Sequence, residues 1–216
     1  PFIAVFAAYL WGTDYEYGTL RNKLICGHTR EEVYFSNLLL TICAGLSTAL
    51  IWLIVNGMLG IPLLGTASLN LSLGEMAFYI FSSLLMVVAL SSVCCLLASL
   101  AENKNSATLL CLGAVAAMVI IGMLLYDRFA EPELLDGWMC SDTDPTVRWH
   151  PQNIKFIGGT FRILLEFLIC LTPGGQGVIL CEEGVEHLIF LPLCSAFVIF
   201  STSLIGSRSF KKKNLK

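Results

Sequence analysis

The chain has 216 residues, of which 56% are apolar and only 13% charged, with a net charge of −3 and a mean hydropathy of +0.76. Soluble domains carry about 25% charged residues, so this composition excludes an ordinary soluble domain and describes an integral membrane protein whose first partner is the lipid bilayer. No nucleic-acid partner is expected.

Taken in chain order, residues 1–11 are apolar but too short to cross a bilayer, which takes about 20 residues. Because the chain starts at Pro1 rather than at a methionine, this segment reads as the tail of a helix whose beginning has been cut away, and the chain as a fragment lacking its amino-terminal span. No basic flank precedes an apolar run at the start, so a signal peptide is not expected. Residues 12–37 concentrate charge and glycine. Four uninterrupted apolar runs follow at 38–60, 76–100, 107–126 and 188–206, each of spanning length. The expected fold class is all-α, one polytopic transmembrane helical bundle.

Loops rich in Lys and Arg stay on the cytoplasmic side. The carboxy-terminal run KKKNLK (207–216 with Arg208), the 12–37 segment with Arg21, Lys23 and Arg30, and the turn 101–106 with Lys104 are therefore expected inside. Residues 61–75, without a cation, and the acidic stretch 127–187 are expected outside. Within that stretch 161–180 is apolar but contains Arg162, Glu166, Pro173, Gly174 and Gly175. A crossing there would put the basic tail outside, so it is expected to lie on or dip into the outer leaflet, break at 173–175, and be surrounded by protein.

Local signals in 12–37 describe two helices and an elbow. Tyr17, Leu20 and Leu24 recur at helical spacing, Gly27 is placed as a left-handed cap, and Thr29 with Glu32 forms a capping box opening a helix that runs into the first long apolar stretch.

The wording of this segment carries a family resemblance. Tyr15-Glu-Tyr-Gly-Thr-Leu-Arg-Asn-Lys-Leu, then Gly27-His-Thr-Arg30, then Tyr34-Phe-Ser, resembles the permeases of type-2 ABC transporters, especially bacterial ones linked to peptide-antibiotic export or immunity. The order of apolar runs, a large external segment before the last one and a Pro-Gly-x-Gln element at Pro173 to Gln176 fit it loosely. The resemblance implies six spans in the whole protein, a bacterial cytoplasmic membrane location with the carboxy terminus inside, and a pair of permease subunits in a homo- or heterodimer. It further implies a separate ABC ATP-binding subunit that seats the first cytoplasmic loop. Tyr17, Gly18, Thr19, Arg21, Lys23, Gly27 and Arg30 are then the coupling residues, with Arg21, Lys23 and Arg30 contacting the partner. The chain has no GxxxxGK[ST] phosphate loop, so ATP and Mg belong to that partner, and this chain is expected to hold no cofactor and to perform no covalent chemistry.

Two alternatives come from other classes. A non-transporting immunity or sensor protein would bind its partner at 127–187, where Trp138 and Trp149 form a packed cap, an interfacial anchor or a binding surface. An intramembrane metalloprotease would use Glu182, Glu183, Glu186 and His187, part of an EExxxR-like pattern with histidine in place of arginine. Glu166 and Arg162, four apart, read as an interfacial pair rather than a substrate contact. Asn56 reads as an interhelical bond or a local break, and Gly113 and Ala117 as a close-approach seam of the bundle or of a dimer. Cys43, Cys94, Cys95, Cys111, Cys170 and Cys194 read as packing residues. Cys26 stays reduced, and Cys140 with Cys181 is the one candidate disulfide.

Overall fold

The structure, a computed structural model, describes residues 1–60, 73–134, 152–182 and 190–213, and its regular elements are helical. In order they are α1 (Phe2–Glu16), α2 (Thr19–Ile25), α3 (Arg30–Val55) continued by a π-helical turn Asn56–Gly60, α4 (Leu73–Leu100), α5 (Lys104–Phe129), α6 (Thr160–Leu171), α7 (Pro173–Glu182) and α8 (Phe190–Lys212). Four helices are long and apolar enough to cross a membrane: Arg30–Leu59, Leu73–Leu100, Lys104–Arg128 and Phe190–Lys212. They contain the apolar runs expected at 76–100 and 107–126 and most of those at 38–60 and 188–206, and each extends past its run at one end or both, because a helix does not stop where apolarity stops but where a cap or turn ends it.

Helix α4 is the central element, packed against α1, α3, α5 and α8. Its buried positions are Ser82, Ala89, Ser91, Ser92, Cys94, Cys95, Ala98 and Ser99. Small side chains let neighbouring backbones approach, and the serines satisfy themselves on their own helix: Ser91 Oγ donates to the Val87 carbonyl at 2.8 Å. A polar link crosses to α8, from Thr202 Oγ1 to Ser92 Oγ at 2.9 Å.

One core lies where α1, α3, α4, α5 and α8 converge. Ala4, Ala7, Ala8 and Trp11 form the buried face of α1. Trp11 packs edge-on against Phe210 with ring centres 5.0 Å apart and lies 5.9 Å from Tyr34. Its indole Nε1 donates to Cys95 Sγ at 3.3 Å. Gly206 of α8 sits against the Tyr34 ring, where any Cβ would overlap the phenol. A second, smaller core of Ile169, Ile179, Leu180 and Leu191 holds α6, α7 and α8 together, and the Tyr79 hydroxyl of α4 donates to the Leu180 carbonyl.

Helices α6 and α7 meet at a bend of 103°. The break falls at Thr172, one residue before the expected 173–175, for two local reasons. A residue before proline is pushed out of the helical region, and Thr172 is extended at φ −96° and ψ 127°. Its hydroxyl then accepts from the Gly175 amide at 3.3 Å, so Thr172 caps α7 and Pro173 occupies the first helical position, where its missing N–H costs nothing. Gly174 and Gly175 are thus contact residues rather than breakers. A Cβ on Gly174 would lie 2.6 Å from the Met118 backbone of α5, and one on Gly122 would lie 2.9 Å from Gly175 Cα. Gln176, fully buried, donates to the Cys170 carbonyl and accepts from Ser195 Oγ, both at 2.7 Å, tying α7 to α6 and α8.

One expectation is corrected and two open alternatives are narrowed. Asn56 bonds to its own helix, Nδ2 to the Trp52 carbonyl at 2.8 Å, where α3 changes to the π turn; it marks a local break and not an interhelical bond. Gly113 and Ala117 lie on an exposed face of α5, and nothing among the described residues comes within 4 Å of a Cβ on Gly113, so within this chain the close approach of α5 is at Gly122 and the Gly113–Ala117 face is left open to a second copy. Cys43 is exposed on α3, whereas Cys94, Cys95 and Cys111 are buried and Cys170 and Cys194 half-buried, because Cys43 falls on the face of α3 opposite Thr41 and Gly45. Cys140 lies outside the described residues, as do Trp138, Trp149, Glu183, Glu186 and His187.

The aromatic junction predicts an asymmetry along α8. Phe210→Ala is expected to cost about 3–5 kcal/mol, the range for deleting a buried aromatic ring. Phe200→Ala, on a side chain 65% exposed, is expected to cost under about 1 kcal/mol. Thermal unfolding of both variants in one detergent measures the difference.

Candidate functional site

The three segments expected to share one side of a membrane, 12–37, 101–106 and the end of α8, come together at one end of the bundle, and the candidate coupling residues lie there. Helix α2 is set off by two glycines in left-handed conformations, Gly18 at φ +65° and Gly27 at φ +96°, which side chains with a Cβ rarely adopt. At its carboxy end the Gly27 amide donates to the Leu24 carbonyl and the His28 amide to the Lys23 carbonyl, at 3.1 and 3.2 Å. This pair of reversed bonds is the Schellman closure. The chain then turns directly into α3 through the expected capping box: Glu32 N–H donates to Thr29 Oγ1 at 3.3 Å and Thr29 N–H to Glu32 Oε2 at 3.0 Å. Both local signals read from the sequence at this elbow are present.

The first half of the segment differs from expectation. Gly12 to Glu16 continue α1, so Tyr17 is the residue that ends that helix and not part of the α2 face; it is 73% exposed, while Leu20 is 4% exposed. The left-handed Gly18 separates the two, breaking the Tyr17–Leu20–Leu24 stripe. Gly12 is pressed against Lys104, where a Cβ would lie 2.7 Å from the Lys104 Cα, and Lys104 Nζ sits 4.0 Å above the Tyr9 ring.

Asp14 is the hub beneath α2. Its carboxylate accepts from Lys23 Nζ at 2.7 Å, Thr19 Oγ1 at 2.5 Å and Asn37 Nδ2 at 3.1 Å, so one side chain joins α1, α2 and α3. Burial pushes its carboxyl up, but the hydrogen bonds from Lys23, Thr19 and Asn37 together outweigh this and hold it below its ordinary value.

Two cations neutralise helix carboxy-termini. The Arg30 guanidinium donates to the carbonyls of Lys211 and Lys213 at 3.0 and 2.5 Å, closing the end of α8. Lys213 Nζ donates to the carbonyls of Ser99, Leu100 and Ala101 at 2.9, 3.0 and 3.2 Å, closing the end of α4, and lies 4.4 Å above the Tyr15 ring. Helix carboxy-termini carry partial negative charge and unpaired carbonyls, which is the environment a cation prefers. Burial lowers the Lys213 amine from its ordinary value, with Glu102 opposing.

The expected division of labour among the cations is therefore revised. Lys23 and Arg30 are committed within the chain, to Asp14 and to the end of α8. Arg21 is exposed, and among the described residues no hydrogen bond or ion pair engages its guanidinium. Beside it opens a polar cleft of about 490 Å³ lined by Tyr17, Gly18, Arg21, Glu16, Glu102 and Lys213, among others. Asp14, Asn37 and Lys213 were not singled out from the sequence. Asn37 alone had a signal, a polar side chain at the threshold of an apolar run, and it is 2% exposed. Among the described residues no three His, Cys, Asp or Glu side chains gather closely enough to hold a metal ion.

The fold and this corner define an all-helical bundle with four helices able to cross a membrane, bearing a braced two-helix elbow at one end. No protein-family model, curated protein or solved structure matches the chain.

Asp14 sets a pH dependence with a definite sign. A carboxyl held below its ordinary value of 3.8 stabilises fully above that value and loses the contribution as pH falls through its lower folded value. At neutral pH Lys23→Ala is expected to lower hydrogen-exchange protection across α2 by about three- to tenfold, the modest end for a charged hydrogen bond because the pair is half exposed. Arg21→Ala is expected to leave that protection unchanged.

Proposed function

We propose that the protein is a permease subunit of an ATP-driven ABC transporter of the type-2 exporter class, working in a dimer of permeases with a separate ATP-binding subunit seated on the α1–α2–α3 corner. The observation that carries this is the build of the corner: a seven-residue helix delimited by left-handed glycines, braced to its neighbours through Asp14 and joined through a capping box to a 26-residue helix. A short stiff element held this way moves with α3 as one body. Beside it, Tyr17 and Arg21, whose side chains no described residue engages, project over a cleft rimmed by Glu16 and Glu102, the aromatic and guanidinium chemistry that dominates protein interfaces.

On this reading the corner faces the cytoplasm, ATP and Mg reside on the partner, and this chain moves a lipophilic substrate without covalent chemistry. Gly18, Thr19, Lys23, Gly27 and Arg30 shape and brace the elbow. Tyr17 and Arg21 make the contact.

The test is purification from the native host in mild detergent, with the accompanying ATPase identified by mass spectrometry and by its own hydrolysis of ATP. Arg21→Ala and Tyr17→Ala are each expected to weaken its retention about tenfold or more, as loss of an interface anchor does, with the unfolding temperature unchanged. Arg30→Ala is expected to lower the unfolding temperature itself, since it strips the cap from α8. No copurifying ATPase across several detergents, or equal retention by the Tyr17 and Arg21 variants, overturns the proposal and favours a non-transporting binding protein.

A further inference from the structure

Away from the corner, α6 and α8 enclose a groove of about 560 Å³ whose walls are almost wholly apolar. Ile163 and Phe167 of α6 face Phe190, Leu193 and Phe197 of α8 across it, all of them more than half exposed. The volume suits one drug-sized molecule or one alkyl chain with its head group, too little for a folded peptide.

Among the described residues one carboxylate lines this groove, Glu166. It makes the expected pair with Arg162, but loosely: Arg162 Nε stands 3.7 Å from Oε1, beyond hydrogen-bond distance, and the Glu166 side chain is 34% exposed. The Arg162 guanidinium is also drawn to the Phe156 ring, 5.5 Å away. Among the described residues no hydrogen bond reaches the Glu166 carboxylate, which therefore presents acceptor capacity into an apolar slot. An apolar wall strengthens any charge interaction it shields from water, and three phenylalanines offer ring faces that attract cations and not anions.

We propose that this groove is a binding site for a lipophilic monocation, an alkyl or aryl amine whose apolar part lies between α6 and α8 and whose ammonium donates to Glu166. A neutral molecule of the same length gains the apolar burial but not the charged hydrogen bond. An anion meets the carboxylate unfavourably. The inference stands apart from the ATPase proposal, because binding is read on this chain alone.

Cys194, half-buried in the same groove, reports occupancy. The chain is reconstituted in phosphatidylcholine nanodiscs and alkylated with N-ethylmaleimide in the presence of decylamine, decanol or decanoate, and modification of the Cys194 peptide is followed by mass spectrometry. Decylamine is expected to protect Cys194 at concentrations about tenfold below decanol, the factor one charge-assisted hydrogen bond supplies, and decanoate is expected to protect least. In Glu166→Gln the decylamine advantage is expected to vanish while decanol is unaffected; Glu166→Asp, which keeps the charge, is expected to retain part of it. Equal protection by amine and alcohol in the unaltered chain identifies a groove filled by any alkyl chain and overturns the proposal. An amine preference that survives Glu166→Gln overturns the role of Glu166, and that wild-type comparison decides the matter even if a variant fails to fold.

Discussion

The arrangement depends first on the meeting of Trp11, Tyr34 and Phe210. Three rings from α1, α3 and α8, elements far apart in the chain, share one buried site with centres 5.0 to 6.5 Å apart. Their mutual fit fixes where the last turns of α1 and α8 stand relative to the first turns of α3. The fit is demanding enough that Gly206 has no room for a side chain, and the Tyr34 phenol is fully enclosed beside Cys95. Everything at the corner is laid on this platform: Asp14 stands one turn beyond Trp11, Asn37 one turn beyond Tyr34, and the carbonyls that Arg30 binds lie just past Phe210.

Basic residues near membrane spans are usually discussed as topological signals. Here several also have structural employment. Arg30 and Lys213 each place a positive charge on a cluster of terminal carbonyls, on α8 and α4 respectively, where water or a polar cap would otherwise be needed. The exposed Lys211–Glu31 pair at 3.1 Å adds little by comparison, being open to solvent screening. The net effect is that the corner consumes much of its own charge internally, while among the described residues no hydrogen bond or ion pair engages the guanidinium groups of Arg21 and Arg208.

Local chemistry was legible in the sequence and long-range chemistry was not. The helical class, two of the long apolar helices with most of the other two, the Gly27 turn and the Thr29–Glu32 box all follow from residues within a few positions of one another, and each is present. The Arg162–Glu166 pair, four apart, is present too. What escaped was every side-chain contact between different helices. Nothing in the spelling of Arg30 says that its acceptors are carbonyls 181 and 183 residues on, and nothing in Pro173-Gly-Gly says that the two glycines serve a crossing with Gly122 rather than a break. The Tyr17 misplacement has a different cause: helical spacing alone is blind to a glycine that adopts φ +65° in the middle of the stripe.

The last helix connects the two proposed sites. Its first turns, with Phe190, Leu193 and Phe197, form one wall of the groove that Glu166 serves, and its final turn is held by Arg30 at the corner where α2 projects. Between them α8 packs along α4 for most of its 23 residues, roughly 35 Å at 1.5 Å per residue, and Ser195 and Thr202 pin it to Gln176 and Ser92 on the way. A packed helix with discrete polar ties is poorly deformable along its length, so a displacement at one end is felt at the other. If a ligand in the groove favours one position of α8 over another, it alters the carbonyls that Arg30 grips, and a partner that shifts the elbow alters the groove by the same free energy, because coupling between two sites is reciprocal.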